Sequence, residues 1–227
     1  SVIDTLGKTL TIRSTDGPEN TIIDGEGVRR GIACYNEETS TGMPKVVIEG
    51  LTFTNGLADE GAGLLSVGGT AIISNCNFTM NNAFFGGAVN IIDLEAGSSI
   101  TDTRFEQNSA NFGGGVYLNE CVNDVTISSC GFYDNIATYG GGIYNLRGFM
   151  LMDDIRMSGN EAYEGGGIFE LESISAIANS WFGANVADVG GSSINNHISF
   201  SSIVNSMFCS PGVDGHITGG WNDLGDN

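Results

Sequence analysis

Seven segments of this chain can be laid under one another, and that self-similarity restricts the fold more than any other feature. FEQNSANFGGGVYL from Phe105, FYDNIATYGGGIYN from Phe132, MSGNEAYEGGGIFE from Met157 and FGANVADVGGSSIN from Phe182 share one pattern. FTMNNAFFGGAVNI from Phe78 fits without a gap, FTNGLADEGAGLLS from Phe53 fits more loosely, and a seventh, worn copy begins at Phe208. The starts lie 25, 27, 27, 25, 25 and 26 residues apart. Periods of that length belong to solenoids, in which each repeat buries its apolar face only by stacking on its neighbours.

Counted from each Phe, the repeats form columns. Five residues upstream stand Ile48, Ile73, Ile100, Ile127, Met152, Ile177 and Ile203. Three downstream stand Asn81, Asn108, Asn135, Asn160 and Asn185, and eleven downstream Leu64, Val89, Val116, Ile143 and Ile168. Apolar positions alternate over short runs, as in strands with one buried face. Abundant Gly and β-branched residues, with no sustained 3.6-residue pattern, argue against helix. In a coil of parallel strands each rung lies over its predecessor at ~4.8 Å, so like stacks on like. The Asn column then predicts an amide ladder at a corner, and the glycines a turn that needs positive φ or no side chain. The expected fold is all-β, a right-handed parallel β-helix of roughly eight rungs. It is a single domain over 1–227, with irregular opening rungs at 1–45, regular repeats at 46–208 and a terminal coil at 209–227.

The pattern FxxN followed by GG(A/G)(I/V) resembles the repeat of the chlamydial polymorphic membrane proteins and of related right-handed parallel β-helix proteins. FTMN with GGAV, FEQN with GGGV and FYDN with GGGI carry the likeness; MSGN departs by Met for Phe, and Phe53 lacks the aligned Asn. The opening GKTLTIRSTDGPENTIIDGEG and the closing CSPGVDGHITGGWNDLGDN resemble the first and last coils of secreted bacterial, pectin-lyase-like β-helix proteins. The resemblance implies the fold and an extracellular or cell-surface location. It implies little about activity, because one fold carries many.

The formal charge is −19, from 27 acidic and 8 basic residues. Nucleic acid is not an expected partner, since phosphate contacts need clustered Lys and Arg. An anionic membrane surface is disfavoured for the same reason, and no apolar run is long enough to span a bilayer. The chain begins at Ser1 rather than Met and reads as a mature or excised piece. Glu37 to Pro44 is a polar insertion, read as a surface excursion. Cys34, Cys76, Cys121, Cys130 and Cys209 show neither disulfide-framework nor zinc spacing. They are expected to be free thiols in core slots, with Cys121–Cys130 the one pairing left open.

Many parallel β-helices act on polysaccharides, and such lyases need a base and often carboxylates that hold calcium. No Arg or Lys here sits among clustered carboxylates, and neither His197 nor His216 has an evident nucleophile partner. Fifteen residues after each Phe come Asp93, Glu120, Arg147, Glu172 and His197. One reading is a surface charge ladder in which Arg147 bridges two glutamates. The other is a calcium position at Asp93, Glu120 and Asp124, the one departure from an expectation of no cofactor. Outward aromatics form two further columns, Phe85, Phe112 and Tyr139, then Tyr117, Tyr144 and Phe169. These either bind sugar rings or a protein partner, or stack on each other and shield the strands.

The expected function is therefore a non-catalytic extracellular solenoid, structural or adhesive. Its terminal rungs, as exposed sheet edges, are expected to pair head to tail into filaments. A cell-surface protein or glycan is the other partner class. The alternative is a carbohydrate-active enzyme or binding module, supported by fold analogy alone.

Overall fold

A computed structural model describes residues 1–35, 44–92, 98–209 and 215–224. Glu37 to Met43 of the polar insertion, and Asp93, lie outside the described residues. Among those described there are strands and turns and no helix. Strands pair in parallel, each with the equivalent strand one repeat away. The molecule is a parallel β-solenoid with three main strands per turn. One turn runs through Val116–Asn119, Val125–Ser128 and Gly131–Tyr133. The last of these faces forms an eight-stranded sheet, one strand for each of eight turns. The other two join in one sheet through Ile194–Val204. That strand begins beside Ile168–Leu171 and ends beside Ile174–Ala178.

The register is the one the repeat spacing predicts. Phe53, Phe78, Phe105 and Phe132 are cross-strand partners in sequence. Their rings stack at centroid separations of 4.9, 5.3 and 4.6 Å. Met157 takes the next place, followed by Phe182. The Ile column runs from Ile12 to Ile203 on the opposite wall. Both columns lie in one continuous core cluster. The opening strands join the same sheets, with Ile3 beside Ile32 and Ile23 beside Phe53.

Several bends per turn are made by single residues in the left-handed region, among them the Glu120, Arg147 and Glu172 positions and two further columns. One column comprises Asn55, Met80, Gln107, Asp134, Gly159 and Ala184; another comprises Gly50, Asn75, Asp102, Ser129, Asp154, Asn179 and Asn205. A non-glycine residue there costs on the order of 1–2 kcal/mol, least for Asn and Asp, which bond locally. Stacking on equivalent bends above and below over-determines the conformation. The Gly cluster has a different cause. A Cβ on Gly115 would lie 2.7 Å from the Gly142 carbonyl oxygen and 3.0 Å from the Phe132 ring. The chain there presses against its own next coil and against the aromatic stack.

Four cysteines are buried, as the core reading expects; Cys209 departs from it and is exposed. It sits in the eighth strand of its face, Met207–Cys209, on the outward side next to Phe208. Cys121 and Cys130 do not bond to each other. The Cys121 thiol faces the Ile91 carbonyl and the Cys130 thiol the Ile100 carbonyl.

Candidate functional site

The six aromatic candidates occupy one valley on the outside of the coil, where the chain folds back at the glycine cluster. Phe85, Phe112 and Tyr139 bridge to one another on one wall. Tyr117, Tyr144 and Phe169 are consecutive partners on the other. Each column is a ring stack, at 5.2 and 5.4 Å in the first and 5.3 and 5.2 Å in the second. The stacks interlock edge to face, Phe112 on Tyr144 at 85° and Tyr139 on Phe169 at 65°. Tyr117, Tyr144 and Phe169 are only 5–6% exposed, so they form a second small core rather than a flat open stripe. Burial pushes the Tyr144 hydroxyl up to about 12. The valley opens at one end, in a cleft of about 380 Å³ lined by Phe112, Tyr139, Tyr144, Phe169 and Leu171 with Glu164 and His197 on its rim. Glu164 and His197 entered no aromatic column in the sequence. The point where the first column stops being aromatic would have found Glu164; His197 follows Leu171 in a different column.

The charge ladder is present. Arg147 lies 2.7 Å from Glu120 and 3.8 Å from Glu172, all three about half exposed. Glu120 therefore has a basic neighbour, which weighs against its use in a calcium position. Asp124 is exposed, and Asp93 lies outside the described residues. Among the described residues no three His, Cys, Asp or Glu side chains come together in a metal-holding group.

On the Phe-bearing face two arginines cover aromatic rings. Arg104 lies 4.1 Å over Tyr133 and Arg156 4.6 Å over Trp181. Gly131, between the arginines in their column, leaves room for the Tyr133 ring to lie on the sheet. Arg104 also bonds Glu106 at 2.9 Å, which holds that carboxyl below the usual carboxylate range.

Two features were not anticipated. Phe149, Ile174 and Phe200 form an outward column, each 40–51% exposed. Inside the coil the column Ile91, Leu118 turns polar at Asn145, Glu170 and Asn196. Glu170 is fully buried, and its Oε2 accepts from Ser201 Oγ at 2.9 Å. Its Oε1 has no partner, and neither does Asn145 Oδ1. Burial pushes the Glu170 carboxyl up to about 7, against the opposing bonds from Ser175, Ser201 and Asn145.

Fold and site together define a repetitive parallel β-solenoid with an external aromatic valley. No protein-family model, curated protein or solved structure matches the chain.

Proposed function

We propose that this chain is a non-catalytic extracellular solenoid, structural or adhesive, of the kind its FxxN and GG(A/G)(I/V) repeats resemble. The observation that carries the reading is the continuity of the register. One Phe-position column, one Ile column and one Asn ladder run through the repeats, so side chains that an enzyme would spend on a site serve the stacking instead. Three of the six arginines follow the same rule: Arg147 bridges two glutamates, and Arg104 and Arg156 lie on rings. Strand edges at both ends of the coil are pairing surfaces, and end-to-end association into filaments is part of the proposal. Further coils of a longer chain would use the same edges.

The carbohydrate-active alternative, pectin-lyase-like in the sense of the opening and closing coils, rests on analogy of fold. Incubation with a panel of acidic and neutral polysaccharides, with and without calcium, separates the two. The structural reading expects no new reducing ends and no unsaturated products. Turnover that Arg104→Ala or Arg156→Ala abolishes would overturn it.

A further inference from the structure

The two external columns of Phe and Tyr residues stop at the same level of the coil. After Phe85, Phe112 and Tyr139 the next place in the column is Glu164. After Tyr117, Tyr144 and Phe169 the next is Asn195. Tyr139, set at 65° to Phe169, is thus the terminal ring of its stack, while the His197 imidazole stacks on Phe169 at 6.5 Å and 18°; all three line the 380 Å³ cleft. Glu164 stands over them, held by Asn195 Nδ2 at 3.0 Å. Asn195 is itself fixed by Thr218 Oγ1 at 2.9 Å. Among the described residues no cation pairs with Glu164.

Three features of this cleft favour the same charge. Ring faces carry the negative part of the aromatic quadrupole. The carboxylate of Glu164 adds a full negative charge, and the chain around it carries −19. The volume lies at the small end for ligand sites, which suits one headgroup rather than a chain of sugar rings. Ammonium cations differ in how tightly they hold water. A methylated one is weakly hydrated and presents its methyl groups to ring faces, the arrangement of aromatic cages. We propose that this cleft binds a quaternary ammonium cation of the choline type. Its methyl groups would rest on Tyr139 at the mouth of the cleft, and Glu164 would neutralise its charge. The site does not depend on whether the solenoid assembles end to end.

The test is calorimetric titration of the intact chain with choline chloride. Parallel titrations use 3,3-dimethylbutan-1-ol, the uncharged carbon isostere, and glucose. Saturable choline binding in the millimolar range is expected, about tenfold weaker in Glu164→Gln and in Tyr139→Leu. The carbon isostere should bind at least about tenfold more weakly than choline. Glu164 lies on the rim, so Glu164→Gln keeps the test valid if Tyr139→Leu disturbs the stack; circular dichroism checks both folds. Absence of saturable choline binding overturns the proposal. So does equal affinity for the isostere, or an unchanged affinity in Glu164→Gln. Glucose binding without choline binding would make the cleft a sugar platform and also overturns it.

Discussion

Asn108 donates an amide hydrogen to the Oδ1 of Asn135 at 2.9 Å, and Asn135 donates in the same way to Asn160 at 2.9 Å. The other hydrogen of each amide is given to a carbonyl of the Phe column, Phe78 for Asn108 and Phe105 for Asn135, both at 3.0 Å. Each Oδ1 also receives a backbone N–H from the coil below, so both ends of the side chain are satisfied while fully buried. The ladder ties the corner of one coil to the aromatic stack of the previous one. Asn135→Ala takes from the Phe105 carbonyl and the Asn108 N–H their bonds to the ladder, and from the Asn108 amide one of its two bonds, at roughly 1–3 kcal/mol for each group left unsatisfied. Asn135→Asp is expected to be at least as damaging, because a carboxylate cannot donate to Phe105 or Asn160 and cannot be buried cheaply as a charge. Chemical denaturation of both variants measures this.

Phe132 lies between Phe105 at 4.6 Å and Met157, with no exposed surface. Phe132→Ala should cost ~3–5 kcal/mol. A loss below about 1 kcal/mol in urea unfolding would show that Phe132 is not in the core and that the register is wrong.

These columns were legible because a period of one coil places identical residues on one another, so core chemistry repeats in the sequence. The left-handed bends were less legible. Met80, Gln107 and Ala184 hold positive φ because their coils demand it, not because their side chains favour it. The burial of Tyr117, Tyr144 and Phe169 was equally hidden. Strand alternation points them outward, and only the fold-back at the glycines turns that outward face into an enclosed valley. Glu170 was missed because its column is apolar at Ile91 and Leu118 and changes only at Asn145. Cys209 has the chemistry of the buried thiols but stands on the outward side of the Phe208 strand.

Glu170 makes stability depend on pH. Its carboxyl is raised from 4.5 to about 7 by burial, so the folded chain binds this proton more tightly than the unfolded chain does. The stability it contributes is complete below its unfolded value and is lost as the pH rises through about 7. A neutral Glu170 can donate from Oε1 to the unpartnered Asn145 Oδ1; an ionised one cannot. Glu170→Gln keeps the shape and a donor without the titration. Wild type and Glu170→Gln should match near pH 4.5, and the variant should be the more stable by up to roughly 3 kcal/mol at alkaline pH. Parallel stability profiles for the two proteins would contradict this.

The thiols should divide by location. Burial pushes Cys34 and Cys130 up to about 12 and Cys76 up to about 11, which leaves almost no thiolate at neutral pH. Cys121 is fully buried. Iodoacetamide applied to the native protein should therefore modify Cys209 rapidly and the other four only after unfolding. Mass mapping of the alkylated peptides reads the result. Fast labelling of Cys76 or Cys130 would place that column outside the core.

The central claim is that each repeat of this sequence is one coil lying directly on the last. Spin labels can be placed at outward positions of the Phe-bearing face, one always at Thr54 and the other at Tyr133 or Ser158, in a Cys209→Ser background. These positions belong to one column, which runs in the order Thr54, Thr79, Glu106, Tyr133 and Ser158. Pulsed dipolar spectroscopy should find that moving the second label from Tyr133 to Ser158 lengthens the distance by one strand spacing. The Thr54–Ser158 backbone separation should be about 19 Å, four steps of ~4.8 Å. A separation that does not grow by one strand spacing per repeat, or a broad distribution spanning tens of ångströms, would contradict the stacked coil.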